Sequence, residues 1–175
     1  MRKILIVIDM QNDFVTGSLG TPEAQAIVPR VVEKVKECEE NRYEIIFTKD
    51  THYRDYFMTL EGKYLPVEHC RIYTDGWEII DELKSGEIST VQKDTFGFDN
   101  WLNLVSGCIF DEEIQFELIG LCTDICVVSN ALILRAQFPN SEIIVHADCC
   151  AGTTPEKHAA ALEVMKSCQI LVEGE

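Results

Sequence analysis

No stretch of this 175-residue chain is apolar for long enough to cross a bilayer. It also lacks internal repeats, low-complexity tracts and any segment with the composition of an interdomain linker. Basic residues are scarce: 15 Lys and Arg stand against 30 Asp and Glu, a net charge of −15. That imbalance argues against nucleic acid or an anionic membrane as a partner of the whole surface, and leaves room only for a local basic site. Two phosphate-binding signatures are missing. In a dinucleotide-binding chain the turn after the first strand carries G-x-G-x-x-G. Here it opens Asp9-Met10-Gln11-Asn12-Asp13-Phe14 and offers only Gly17 and Gly20. No P-loop pattern occurs either, so no nucleotide cofactor is expected.

What is present fits an ordinary soluble domain. Hydrophobic residues make up 46% and charged residues 26%, enough for one full core and too little chain for two comfortable ones. One domain over residues 1–175 is expected. The eight cysteines are irregularly spaced, with Cys149 and Cys150 adjacent. A domain of this size needs no disulfide staples, so they read as free thiols of a reducing compartment. Met1-Arg2-Lys3 and the apolar run after it have the outline of a signal peptide. The run is too short, however, and no small-residue cleavage site follows. A cytoplasmic protein is expected.

Strand and helix patterns alternate along the chain. Apolar Ile4–Ile8 reads as a buried first strand. Thr21-Pro22-Glu23 supplies an N-cap, a first-turn proline and an acidic first turn, and Ile27, Val28, Val31, Val32 and Val35 continue a helical period. A strand is expected over 44–48, then a long aperiodic stretch over 49–76 of the kind that is usually functional. A short helix follows over 77–84, a strand near Ile88, and a short helix around 99–105. Further strands are expected near Phe116, at 142–146 and at 169–172. Helices are expected from Cys126 to Gln137, stopped by Phe138-Pro139-Asn140, and from Thr154 to Met165. This alternation predicts an α/β fold with a parallel sheet covered on both faces.

Four strands end on reactive residues, and in such a sheet ligands bind outside the carboxyl ends of the strands. Asp9 ends an apolar run, where partial desolvation raises a carboxylate pKa and suits a general base; the plainer alternative is a turn-capping Asp. Lys93 follows a strand and is either a buried counter-charge or a solvated lysine. Cys126 sits at a helix start, where backbone N–H groups favour a thiolate and can receive an oxyanion. The alternative there is an inert buried cysteine. Cys122 lies four residues earlier, which is not the redox C-x-x-C spacing. Asp50-x-His52, with His69 beyond and Glu61 between, offers oxygen and nitrogen ligands for zinc, iron or manganese. Cys70 is a competing ligand, and exposed loop histidines are the bland alternative. His146 and His158 read as packing or surface residues.

With these residues assembled, the chain resembles the isochorismatase-like cysteine hydrolases, and within them the nicotinamidases. The matching segments are Val7-Ile8-Asp9-Met10-Gln11-Asn12-Asp13-Phe14, Thr48-Lys49-Asp50-Thr51-His52, Pro66-Val67-Glu68-His69-Cys70, Lys93-Asp94-Thr95-Phe96 and Ile119-Gly120-Leu121-Cys122-Thr123-Asp124-Ile125-Cys126. The resemblance implies a three-layer α/β/α, Rossmann-like fold with a six-stranded parallel sheet. It also implies a catalytic triad of Asp9, Lys93 and Cys126. An oxyanion hole would be formed by the N–H groups of Cys122 and Cys126, beside a cis peptide between Leu121 and Cys122.

The metal ligands carry over to Asp50, His52 and His69. Glu61 fits the fourth position with one residue of offset, the divalent ion being zinc or else iron or manganese. Phe14, Tyr64, Leu65 and Phe96 would line the substrate pocket. The implied reaction is hydrolysis of nicotinamide to nicotinate and ammonia through a Cys126 thioester, in a homo-oligomer. Two alternatives stand beside it: a metal-free amidase of the same superfamily acting on another small amide or a carbamoyl or ureido compound, and a non-catalytic thiol or binding protein on the same scaffold.

Overall fold

The run Ile4–Ile8 has no exposed side chain, and such a run is stable only with both faces covered, as the centre of a sheet. The computed structural model, which describes residues 1–84, 89–105 and 113–175, places it there. The strands are β1 (Arg2–Ile8), β2 (Glu44–Asp50), β3 (Ser89–Lys93), β4 (Ile114–Leu121), β5 (Glu142–Ala151) and β6 (Leu171–Glu173). Among the described residues they form one six-stranded sheet in the order β3-β2-β1-β4-β5-β6, with every pairing parallel. The chain reverses its direction of travel between β1 and β4, so the crevice at their carboxyl ends is the expected ligand site.

The helices are α1 (Asn12–Val15), α2 (Pro22–Glu40), α3 (Leu60–Tyr64), α4 (Trp101–Val105), α5 (Val128–Gln137) and α6 (Pro155–Ser167). Strand alternation divides the core in two. Leu5 and Val7 join Phe47, Ile119 and the Val31 and Val35 stripe of α2. Ile4, Ile6 and Ile8 join Phe116, Leu118, Leu134 of α5 and Met165 of α6. Each fully buried Ile or Leu contributes roughly 1.5–3 kcal/mol. Helices α2 and α6 start as the sequence predicts: Thr21 Oγ1 accepts from Ala24 N–H at 3.0 Å and Thr154 Oγ1 from Lys157 N–H at 3.2 Å. No described helix is long and apolar enough to cross a membrane. None of the described cysteines is disulfide-bonded; Cys108 lies outside the described residues.

Three expectations change. The helix predicted over 77–84 is instead two 3-10 turns, Asp75–Trp77 and Asp81–Leu83, separated by extended chain. The backbone there is taken by the segment after β1. Asn12 N–H donates to Glu78 O at 2.9 Å, Ile80 N–H donates to Met10 O at 3.0 Å, and Ile79 forms a bridge with Gln11. The helix expected from Cys126 begins only at Val128. Thr123–Val127 forms a π-turn closed by Val127 N–H on Cys122 O at 3.1 Å. Strand β5 runs past His146 to Ala151 because Cys150 and Ala151 pair with Gly120 and Leu121. The predicted start of the third strand, Ile88, lies outside the described residues.

At Gly120, φ is +114° and a Cβ would lie 2.1 Å from the Ile8 carbonyl oxygen. Only glycine lets β4 lie this close to β1.

Candidate active site

Asp9 follows β1 with φ of +48°, which turns the chain sharply out of the sheet. Thr48 on β2 holds it from two directions: its Oγ1 accepts from Asp9 N–H at 3.1 Å and its hydroxyl donates to Asp9 Oδ1 at 2.6 Å. Lys93 ends β3 and is buried, so the solvated-lysine alternative does not apply. Its Nζ lies 2.7 Å from Asp9 Oδ2, 3.2 Å from Asp50 Oδ1 and 3.6 Å from Cys126 Sγ. One ammonium therefore touches both carboxylates and the thiol. The peptide between Leu121 and Cys122 is cis, as the resemblance implies.

Burial dominates the electrostatics of these groups. It raises the Asp9 pKa against the opposing pull of Lys93. Burial also pushes the Cys126 thiol well up, again against Lys93. Lys93 itself is held charged: burial disfavours its ammonium, but Asp9, Cys126 and Asp50 together override that cost. A thiol raised in this way needs a base beside it to become a nucleophile. Asp9 is the neighbouring carboxylate.

Asp50 ends β2, and two loop pairings bring the other polar groups to it. His52 N–H donates to Cys70 O at 3.0 Å and Ile72 N–H donates to His52 O at 2.9 Å, which sets His69 beside His52 with ring centres 4.6 Å apart. His52 Nε2 lies 3.0 Å from Asp50 Oδ2 and 3.6 Å from Glu61 Oε1; His69 Nε2 lies 3.5 and 3.6 Å from the same two oxygens. Among the described residues this is the cluster with metal-site geometry, one ligand atom from each residue lying within 4.8 Å of the others.

The cluster fits a divalent ion. The Nε2 of His52 is buried and, although 3.0 Å from Asp50 Oδ2, is not aligned to hydrogen-bond it, and two imidazoles with two carboxylates form a donor set that zinc, iron or manganese accepts. His69 Nδ1 faces Val67 O at 2.9 Å, which fixes its ring and turns Nε2 toward the cluster. Burial lowers the His69 pKa, but the bonds to Asp50 and Glu61 outweigh it and raise it to about 10. Asp50 is held well below the carboxylate range: burial pushes it up, and Lys93, His52 and His69 more than reverse that. Cys70 stays out of the cluster. His146 pairs with Glu117 at 2.7 Å and His158 with Thr123 at 2.8 Å, both as packing residues.

Cys126, Asp50, Glu61 and His69 open into one cavity of about 670 Å³. Phe14, Tyr64, Leu65 and Phe96 line it, and so does Cys122. Tyr64 is 83% exposed and touches from the rim. Asp9, Lys93 and His52 lie outside the lining.

Four supporting residues carried no assigned role in the sequence reading. Thr48 holds Asp9, as above. Gln11 clamps the Asp50 backbone, its Nε2 donating to Asp50 O at 2.9 Å and its Oε1 accepting from Asp50 N–H at 2.8 Å. Asp13 accepts from Cys70 N–H at 2.8 Å and so fixes the residue after His69. Asn130 donates to Cys126 O at 2.8 Å and Phe96 O at 3.3 Å, and accepts from Phe98 N–H at 2.9 Å and Trp101 Nε1 at 3.0 Å. Gln11, Asp13 and Thr48 stand inside segments already singled out; Asn130 has no such signal.

The fold and this site define a class. The profile of the Isochorismatase domain matches residues 3–174, and the chain belongs to that family. It is 27% identical to a nicotinamidase of Schizosaccharomyces pombe over 98% of this chain and 92% of the relative. The crystal structure of a nicotinamidase/pyrazinamidase from Bacillus subtilis superposes with a TM-score of 0.85, at 28% identity over 99% of this chain and 100% of that one. A pyrazinamidase of Pyrococcus horikoshii, solved in complex with zinc, superposes with a TM-score of 0.84, at 26% identity over 98% of each chain. The protein is therefore an isochorismatase-family hydrolase of nicotinamidase-like type.

Proposed function

We propose that this protein hydrolyses nicotinamide to nicotinate and ammonia through a thioester on Cys126. The observation that carries the reading is the ammonium of Lys93, within 3.6 Å of the Cys126 sulfur and in contact with both Asp9 and Asp50. Asp9 takes the thiol proton. The thiolate attacks the carboxamide carbon, and the backbone N–H groups of Cys122 and Cys126 receive the oxyanion. Collapse expels ammonia, which takes the proton held by Asp9, and leaves a thioester. Asp9 then deprotonates a water molecule that attacks the thioester carbonyl, releasing nicotinate and restoring the thiol. Lys93 offsets the negative charge at each stage.

Asp50, His52, Glu61 and His69 would hold a divalent ion, with zinc the first candidate given the relative solved with it. Such an ion supplies a Lewis-acid anchor for a ring nitrogen of the substrate. The protein's part is orientation: Phe14 packs against the His69 ring with centres 5.5 Å apart and narrows the approach to the ligands.

The test is ammonia release from a panel led by nicotinamide and pyrazinamide, on protein whose metal content has been measured. Turnover of nicotinamide with about one metal per chain, and a raised KM after chelation, is expected. Release only from a carbamoyl or ureido compound, with no metal bound, would keep the triad and replace the substrate.

A further inference from the structure

The turn that carries Cys122 and Cys126 is a single hydrogen-bonded unit. Cys122 O accepts from Ile125 N–H at 3.0 Å and from Val127 N–H at 3.1 Å, which closes the chain from Cys122 to Val127 on itself. Closures of this π type recur at functional sites. The unit can still tilt as a whole, and its two ends are held by different side chains. At the far end Asn130 donates to Cys126 O at 2.8 Å. At the near end the anchor lies on α6.

Thr123 follows Cys122 and is fully buried, so its hydroxyl needs a partner inside the protein. Ser129, further along, finds one on Ile125 O at 2.6 Å, a carbonyl one helical turn behind it. Thr123 opens the turn and has strand β4 behind it, so no such carbonyl is at hand. Its partner is His158, one turn into α6 and 35 residues away, whose Nδ1 lies 2.8 Å from Thr123 Oγ1. Burial lowers the His158 pKa against the opposing pull of Asp124 and Glu175, which keeps the ring neutral near neutral pH.

Asp124 strengthens the mooring. Its Oδ1 accepts from Thr153 N–H at 2.7 Å and its Oδ2 from the Thr153 hydroxyl at 2.7 Å. Between the two anchors, a Cβ at Gly152 would lie 2.9 Å from Asp124 Oδ1 and 2.9 Å from His158 N. The turn and the start of α6 are thus in close contact, behind a cavity wall to which Cys122, Cys126, Gly152 and Thr153 contribute. His158 is not part of that wall. It packs, and through this bond it also bears on the chemistry.

We infer that His158 is a positioning residue for the oxyanion hole: through Thr123 it fixes the tilt of the turn, and with it the direction of the Cys122 N–H. The inference rests on the oxyanion role given to Cys122 and Cys126 above and adds a residue to it. The contribution is felt once charge develops on the carbonyl oxygen, because a tilted turn misdirects a donor and leaves the seat of the ring as it was.

The experiment compares His158→Leu, His158→Asn, Thr123→Val and the Thr123→Val/His158→Leu double variant. An asparagine amide can donate or accept close to the position of Nδ1; leucine can do neither. The readouts are kcat and KM for nicotinamide, the affinity of pyridine-3-carbaldehyde and the affinity of nicotinate. The Cys126 sulfur adds to the aldehyde carbon, the C=O electron pair moves to oxygen, the thiol proton passes to Asp9, and the oxygen occupies the oxyanion hole. Nicotinate has the same ring and forms no such adduct. His158→Leu is expected to lower kcat by roughly tenfold or more, with KM within about twofold. It should weaken the aldehyde by a similar factor and leave nicotinate unchanged. Thr123→Val should match it, the double variant should be no worse than either single one, and His158→Asn should recover most of the loss.

Wild-type kcat and aldehyde affinity in His158→Leu, with only a lower melting temperature, would reduce the contact to packing and overturn the inference. Equal losses in His158→Leu and His158→Asn, or losses that multiply in the double variant, would overturn it too. Should His158→Leu fail to fold, Thr123→Val, which keeps the shape of its side chain, decides: a weakened aldehyde with unchanged nicotinate supports the mooring, and normal aldehyde affinity sinks it. An absence of nicotinamide turnover in wild type would defeat the proposed substrate and leave the inference to the same aldehyde comparison.

Discussion

Asp50 and Lys93 are direct register partners on β2 and β3, and their side chains meet at 3.2 Å. The other oxygen of Asp50 faces His52 at 3.0 Å and His69 at 3.5 Å. One carboxylate thus serves the cation beside the thiol and the imidazoles of the ligand cluster together. Asp50→Asn is expected to weaken metal affinity at least about tenfold and to lower kcat as well. Saturating metal should restore binding but not full kcat, because Lys93 has lost one of its two carboxylate partners. Metal titration followed by steady-state kinetics decides it: full recovery of kcat at saturating metal would confine Asp50 to the ligand role.

Cys126 is predicted to be indispensable and Cys122 not. Cys126→Ala should lower turnover by on the order of 10⁴-fold or more, with near-wild-type circular dichroism and a stability loss of about 1 kcal/mol for a small buried truncation. Cys122→Ala should keep most of the activity, since the role proposed for that residue uses its backbone N–H. Single-turnover assays of both variants are the check. Activity of Cys126→Ala within tenfold of wild type would remove the thiol from the mechanism.

Asn130 is fully buried, and its side chain makes four hydrogen bonds. Asn130→Leu leaves the indole N–H of Trp101 and the amide of Phe98 without their acceptor. The expected loss is roughly 2–4 kcal/mol, read from the urea midpoint. A loss below about 0.5 kcal/mol, the scale of a neutral surface change, would show that the network is replaceable.

Stability should fall in acid because of Glu117. Its carboxylate sits 2.9 Å from Lys34 Nζ and 2.7 Å from His146 Nε2. Burial pushes its pKa up, but the His146 and Lys34 contacts prevail and bring it from an ordinary 4.5 to about 2. Between these values the unfolded chain holds a proton that the folded chain does not. The stabilisation is therefore complete above pH 4.5 and is lost as the pH falls through about 2. It amounts to roughly 3 kcal/mol. Thermal melts across that interval should fall more steeply for wild type than for Glu117→Gln; parallel slopes would assign the acid lability elsewhere.

The sequence declared the site better than its supports. Asp9, Asp50, Lys93 and Cys126 each follow an apolar or β-branched run, so a parallel sheet alone is enough to gather them at one edge. The spacing of Asp50 and His52 likewise puts both side chains on one side of an extended segment. Thr48, Gln11 and Asn130 are different. Gln11 meets Asp50 across 39 residues of chain and Asn130 meets Phe98 across 32, and nothing local marks either pairing. The segment 77–84 misleads for a related reason. Trp77, Ile79, Ile80 and Leu83 are all buried and offer apolar spacing compatible with a helix. Their backbone partners, however, lie in the turn after β1, and competition for hydrogen bonds decided the conformation.

Gly120 has no functional group, yet it sets how closely the strand that leads to Cys126 lies against the strand that leads to Asp9. With no room for a Cβ at 2.1 Å from the Ile8 carbonyl, β4 rests directly against the end of β1. Ile8 immediately precedes Asp9, and Gly120 leads through Leu121 and Cys122 into the turn that bears Cys126. A methyl group here would act as a wedge, prising the carboxylate and the sulfur apart from behind. The room between the two strands at this point is thus less than a methyl group needs, and a hydrogen fills it.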